Sequence, residues 1–320
     1  MNDFNYILPQ NINEALNSIS KGAVSLAGGT DILGMMKNNL MAPKNILNLK
    51  TIPELKGIVT TNDGLKIGAL TKLSEIAEDK LIIQKFNILS QAAKSVASPQ
   101  IRNVGTIGGN ILQRPRCWYF RGEYNCLKKG GDYCYAEVGE NKYHAIIGGD
   151  PCYIVHPSDV AVALLALDAT LSIVSKKGSR EVKIKDFFIR PEEDVTKENI
   201  LTSDEIVTTI NIPHLEKNTQ SEFYKFSERG VWDFAVVSVG AVIQKVSGKI
   251  KAGKLTFGGV APIPWMDKDL NKKLSGLSLD EKSITTFSKD VFKNAEPLEF
   301  NEYKVKLAQG LVIELLSRFV

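Results

Sequence analysis

The chain has 320 residues, of which 24% are charged and 43% hydrophobic, and carries a net charge of +4. That length has room for two domains or three small ones around a large core, and the composition excludes disordered and fibrous classes. Lysines and arginines are scattered among 36 acidic residues, so no concentrated basic face marks a nucleic-acid partner.

The opening residues, MNDFNYILPQ, contain an acid and no cationic stretch followed by an apolar core, so they do not read as a secretory signal. The longest apolar run, 160–174, is interrupted by Asp168 and is too short to span a bilayer. The expectation is a cytoplasmic protein without membrane insertion. The alternative is a periplasmic one, co-exported with a signal-bearing partner.

Residues 11–20 predict a short helix capped by Asn11, followed by a strand over 23–26. In the next stretch, AGGTDILGMMKN, Gly28 and Gly29 sit at a strand-to-helix turn. Ile32, Leu33, Met35 and Met36 give the segment after it an apolar face. In that geometry the free backbone N–H groups around Gly29, Thr30 and Asp31 converge on a point suited to a phosphate. The order G-x-G-x-x-G and the P-loop Lys-Ser/Thr are both absent, and by itself this stretch is equally well an ordinary glycine turn.

Strands follow over 45–49 and 65–68, with turns at Pro53 and at Asn62-Asp63-Gly64. Helices are predicted over 73–77 and 82–97, the second stopped by Ser98-Pro99. A second glycine loop, GTIGGN, then occupies 105–110. It lets a second stretch of backbone approach the same anion closely, where any Cβ would collide.

All four cysteines, Cys117, Cys126, Cys134 and Cys152, come next, separated by eight, seven and seventeen residues. Without an export signal they favour a metal or redox role over a disulfide framework. Four thiolates match either a 4Fe-4S cluster or a tetrahedral zinc site, and the paired C-x-x-C knuckles usual for zinc are missing. His144 and His156 read as hydrogen-bonded structural residues, and Trp118, Tyr119 and Phe120 as packing that shields the site.

Ser158 and Asp159 open an apolar helix, where a carboxylate is worth about 0.3–1 kcal/mol. A hairpin is predicted from 170–174 and 181–184, and a strand over 206–212. The polar stretch 214–221 reads as a domain boundary. Beyond it come strands over 222–226, 235–245 and 250–257 and helices over 284–294 and 303–318, an α+β pattern. No Ser-His-Asp set or HExxH motif supports hydrolysis, and no catalytic residue is predicted.

AGGTDILGMMK, TIGGNI, HPSD and FYKFSERGVWDFAVVSVGA, in that order, resemble the FAD-binding subunit of the xanthine dehydrogenase and molybdenum hydroxylase family. The resemblance implies an α+β fold: a two-part, PCMH-type FAD-binding domain over 1–214, then a domain over 221–320 like the C-terminal part of carbon monoxide dehydrogenase flavoprotein. It implies that Ala27, Gly28, Gly29, Thr30 and Asp31 in the first loop, and Thr106, Gly108, Gly109 and Asn110 in the second, hold the FAD pyrophosphate. Asp159 matches an acid that hydrogen-bonds the flavin nucleotide, and Lys225 a lysine that reaches the cofactor near its ring.

The segment at about 114–152, which carries the cysteines, resembles an insertion found in a subset of the family, 4-hydroxybenzoyl-CoA reductases and bacterial periplasmic aldehyde oxidoreductases. That resemblance implies a 4Fe-4S cluster on Cys117, Cys126, Cys134 and Cys152. The partners it implies are a small subunit with two 2Fe-2S clusters, a large molybdopterin subunit and an external electron acceptor or donor. Two alternatives stay open: a stand-alone flavin oxidase, and a zinc-stabilised binding module without enzymatic activity.

Overall fold

A computed structural model describes all 320 residues. Strands β1 (Asn5–Ile7), β2 (Val24–Leu26) and β3 (Asn45–Asn48) form a small parallel sheet in the order β1-β3-β2. Helix Ile12–Ile19 crosses from β1 to β2 and starts where the Asn11 side chain accepts the Glu14 amide. Its Ala15, Leu16 and Ile19 are buried with Leu47 and Ile52.

Five antiparallel strands build the second sheet: β4 (Ile58–Thr61), β5 (Gly64–Gly68), β6 (Thr170–Ser175), β7 (Gly178–Lys183) and β8 (Ile206–Pro213), in the order β4-β5-β8-β6-β7. The long excursion between β5 and β6 carries the second glycine loop and every cysteine. Its helices cover the sheet, so that Ile67, Leu171 and Ile210 share one core with Ile76, Ile88, Leu89 and Leu164.

The third sheet is an antiparallel meander of β9 (Thr219–Phe226), β10 (Val237–Val246) and β11 (Lys249–Gly258), in the order β11-β10-β9. Helices Glu281–Ser288 and Tyr303–Ser317 share a second large core with this sheet. Together the three sheets and their helices make the expected α+β class. No helix is long and apolar enough to cross a membrane.

Helix Asp159–Ala166 joins the two large cores. All eight of its residues are buried, as a helix apolar on every side requires. It packs on helix Asn87–Ser95 and on β10 and β11. Gly258 permits the close approach, because a Cβ there would stand 2.7 Å from Val162 Cγ2.

Two predicted helices differ from the observed ones. The helix expected over 82–97 is two, Lys80–Lys85 and Asn87–Ser95, broken at Phe86 (φ −135°, ψ 46°). Burial of the Phe86 ring, 2% exposed, outweighs helical continuity at that point. Asp79, which accepts the Ile82 amide, starts the first piece earlier than predicted. The helix expected over 284–294 runs instead over Glu281–Ser288, because Asp280 caps it through Ser283 N. Phe292, in the left-handed region at φ 53°, falls within the span predicted as helix.

Candidate functional site

The first glycine loop leaves β2 and turns into helix Ile32–Lys37, with Gly29 in the left-handed region at φ 79°. Gly28 lies directly on the chain that enters the second loop. A Cβ on it would fall 2.3 Å from Val104 O, and one on Gly108 would fall 2.8 Å from Ala69 O. In the second loop Thr106 caps the short helix Ile107–Ile111 by accepting the Gly109 amide at 3.2 Å. The two loops are thus laid edge to edge as bare main chain.

Above them lies a cleft of about 580 Å³, within the range of cofactor sites. Ala27 through Asp31, Thr106, Gly108, Gly109, Asn110, Asp159 and Lys225 all line it. The structure therefore brings together the eleven residues picked out as cofactor-facing. The three charged ones are already paired within the protein.

Asp31 is one. Its carboxylate accepts the Arg114 amide at 2.9 Å and pairs with Arg116 at 3.0 Å and Arg121 at 2.9 Å. It ties the first loop to the start of the cysteine segment and, so occupied, does not cap its own helix. Asp159 and Lys225 are the others, paired at 2.7 Å with side chains only 5% and 8% exposed. Lys225 also donates to Ser95 O at 3.1 Å and Asp233 O at 2.9 Å, which occupies all three ammonium hydrogens. Burial pushes the Asp159 carboxyl up, and the Lys225 ammonium pulls it back down.

Ser158 places another polar group. Its hydroxyl accepts the Ala161 amide at the helix start and donates to Asn110 Oδ1 at 2.5 Å. With its oxygen held there, the Asn110 amide keeps its N–H donors for the cleft. Behind Ser158, the buried His156 accepts the Ser158 amide on Nδ1 at 3.3 Å. Burial lowers the His156 pKa from 6.5 to about 4. Because the folded value lies below the unfolded one, this histidine contributes stability that is full above pH 6.5 and is lost as pH falls through 4, about 3 kcal/mol in all. Urea denaturation at about pH 7 and pH 4 should show this acid loss in the parent and a clearly smaller one in His156→Asn.

Beyond the cleft, Cys117, Cys126, Cys134 and Cys152 line one enclosed pocket with Phe120, Leu127, Tyr135 and Ile154, and none forms a disulfide. Cys117 immediately precedes helix Trp118–Arg121, and Cys126 precedes the turn Leu127–Lys129. A hydrogen bond from the Cys152 thiol holds Cys134 down at about 6, the same bond pushing Cys152 up. Burial pushes Cys117 to about 11, against the amides of Phe120 and Tyr119. The side chains do not close on one point in the way a single metal ion requires. Lys128, whose side chain is 1% exposed, adds a positive charge to the pocket wall and pairs with Glu198 at 2.8 Å.

Phe120 lines both the cleft and the thiol pocket and is their shared wall, with Arg114 and Arg121 over its ring. Tyr119 and Phe120 are buried as the packing expectation held, whereas Trp118 reaches the surface. Sequence reasoning missed the arginines that clasp Asp31. The signal was present in RPRCWYFR, where basic residues flank a cysteine without any acid beside them to neutralise them.

A cleft floored by main chain from two glycine loops, without the Rossmann order, defines a dinucleotide-cofactor protein. Residues 2–215 match the family described as FAD binding domain in molybdopterin dehydrogenase, and residues 222–319 match the CO dehydrogenase flavoprotein C-terminal domain. The chain belongs to this family, as an FAD-binding medium subunit of the molybdenum hydroxylase type. It is 31% identical over 300 residues to the aldehyde oxidoreductase FAD-binding subunit PaoB of Escherichia coli, covering 92% of this chain and 91% of that protein. To the glyceraldehyde dehydrogenase medium chain of Sulfolobus acidocaldarius it is 28% identical over 297 residues, 92% of this chain and 89% of that one. Its fold matches a chain of carbon monoxide dehydrogenase from Hydrogenophaga pseudoflava with a TM-score of 0.77 at 24% identity, covering 98% of this chain and 96% of that one.

Proposed function

We propose that the cleft holds FAD, that the thiol pocket holds a 4Fe-4S cluster, and that the chain is the electron-transfer subunit between the 2Fe-2S clusters of a small partner and an external acceptor or donor. A large molybdopterin subunit of the same complex then carries the substrate chemistry. Among aldehyde, xanthine and aromatic acyl-CoA substrates, the 31% identity to an aldehyde oxidoreductase subunit favours an aldehyde. The observation that carries the reading is the one wall, Phe120, between a glycine-floored cleft and a pocket of four thiols.

The residues suit both groups. Amides of Gly28 through Asp31 in the first loop would face a polyanion, while the second loop, whose amides from Ile107 to Asn110 are bonded within the protein, lets bare main chain approach it, packed so closely that a Cβ at Gly28 or Gly108 would strike backbone. Asn110 offers its amide hydrogens, and Asp159 with Lys225 closes the far wall. Cys117, Cys126, Cys134 and Cys152 surround a space instead of meeting at a point, as ligands to the corners of a cluster must. FAD, when bound, supplies exchange between two-electron and one-electron transfer, and the cluster supplies a one-electron store. In this reading residues 1–214 form the FAD domain, with the cysteine insertion at about 114–152, and residues 221–320 form a second domain that closes over it.

The test is a visible spectrum with flavin and iron analysis of the purified complex. One FAD and about eight iron atoms per complex are expected, about four of them in the small partner's two 2Fe-2S clusters, with colour that bleaches on reduction. Cys134→Ser should lose about half of that iron, the share of this chain's cluster, and keep the flavin. A colourless protein containing zinc would mean a zinc-stabilised module, and flavin that survives denaturation on the chain would mean a stand-alone oxidase. Removal of FAD should abolish substrate-to-acceptor turnover.

A further inference from the structure

The thiol pocket is lined by one half of the chain and braced by the other. Asn301 Nδ2 donates to Asn141 O, His144 O and Ala145 O at 3.3, 3.2 and 3.1 Å, and Asn141 Oδ1 accepts the Phe300 amide at 2.9 Å. Lys304, fully buried, donates to Tyr143 O at 3.1 Å, His144 O at 2.8 Å and Gly259 O at 2.5 Å. A lysine in the first turn of helix Tyr303–Ser317 opposes the helix dipole. No carboxylate pairs with Lys304. A lysine buried without an anion is costly to keep charged, and burial pushes the Lys304 ammonium down to about 7, so the clamp on the His144 carbonyl is maintained against a penalty.

That clamp fixes where the His144 ring points. Its Nε2 lies 3.2 Å from Cys117 Sγ, and the ring meets the edge of Trp118 at 5.1 Å between centroids. Nδ1 is buried without a partner. A buried acceptor without a partner is tolerated more readily than a buried N–H without one. Asn141 O also faces the ring, but beside a deprotonated sulfur the proton belongs on Nε2, aimed at it. A deprotonated cysteine sulfur can only accept, so the contact has the polarity a metal-bound thiolate needs.

We propose that His144 donates an N–H···S hydrogen bond to Cys117 in the loaded pocket, and that Lys304 and Asn301 are the positioning residues that hold it there. The inference rests on the reading of the pocket as a 4Fe-4S site. A hydrogen bond to a ligand sulfur draws off negative charge and favours the reduced, more negative cluster, which raises its reduction potential. The C-terminal half thereby sets the potential of a centre to which it contributes no ligand.

Redox titration of the purified complex, followed by EPR and accompanied by iron analysis, tests this in the parent, His144→Leu, His144→Gln and Lys304→Met. His144→Leu is expected to keep FAD, to lower the cluster potential, and to release iron to a chelator about tenfold faster or more. His144→Gln retains a donor and should stay closer to the parent in both. Iron-loaded His144→Leu with the parent's potential and release rate overturns the proposal. If His144→Leu retains only the partner's iron, His144→Gln decides: an intermediate or parent-like potential supports the hydrogen bond, and loss of this chain's iron there as well overturns it. Lys304→Met should shift the potential in the same direction as His144→Leu, and no shift removes Lys304 from the bracing role. A parent complex with only about four iron atoms, those of the partner's two 2Fe-2S clusters, overturns the cluster reading itself, before any variant is compared.

Discussion

Lys225→Met is expected to destabilise the folded chain by about 3–5 kcal/mol, because it leaves the Asp159 carboxylate buried and uncompensated. Asp159 would keep only Ser95 Oγ, at 3.5 Å. Removal of both charges is a different matter: Lys225→Met with Asp159→Leu should recover most of the loss, since two apolar groups replace a pair whose desolvation roughly cancels its attraction. Urea denaturation of the flavin-free protein reads both values. A single variant that costs less than about 1 kcal/mol would show the pair to be solvated like a surface ion pair. Lys225 also holds Asp233 O, beside Trp232, whose amide donates to Ala97 O at 3.0 Å. Trp232 and Ala97 both sit at positive φ, 62° and 45°, a conformation that persists only where its surroundings over-determine it. The same variant should therefore loosen the stretch around 232–234 at the cleft wall, seen as faster amide exchange there.

Gly28→Ala is expected to weaken FAD binding by at least about tenfold, or 1.4 kcal/mol, with a loss of about 1–3 kcal/mol in stability from overpacking. The added methyl would lie 2.3 Å from Val104 O, so the two glycine loops must part, and the first loop's amides would be carried off the anion. Gly34→Ala is the control. It lies in helix Ile32–Lys37 with open space around its Cβ position and should gain up to about 1 kcal/mol while leaving affinity unchanged. FAD titration followed by flavin fluorescence separates the two, and parent-like affinity in Gly28→Ala would remove the first loop from the phosphate site.

Local chemistry made much of this legible. Asn11 and Ser158 are side chains whose cap bonds form within three residues, so sequence patterns predict them well, whereas the short helix capped by Thr106 went unpredicted. The glycine loops were legible for the same reason: absence of a side chain is itself a local signal. What stayed hidden depends on distant partners. Phe86 breaks a helix for the sake of a core assembled from strands far along the chain. Asp31 read as a phosphate-loop acid, yet its carboxylate answers to arginines some ninety positions away. Lys304 drew no expectation at all, and nothing near it in sequence announces that its ammonium ends among the carbonyls beside His144.

Helix Asp159–Ala166, apolar on all sides, has a consequence for how the molecule is made. Synthesis delivers the half with both glycine loops first, and this helix emerges before β10 and β11 exist to cover its remaining flank. Domains tend to fold as units during translation, with exposed apolar surface the usual route to misassembly. Here the earlier unit cannot finish alone, and Lys225, needed to close the cleft around Asp159, is also still to come. Maturation of the flavin pocket is therefore a late event, timed by the last third of the chain and not by the segment that supplies most of its walls.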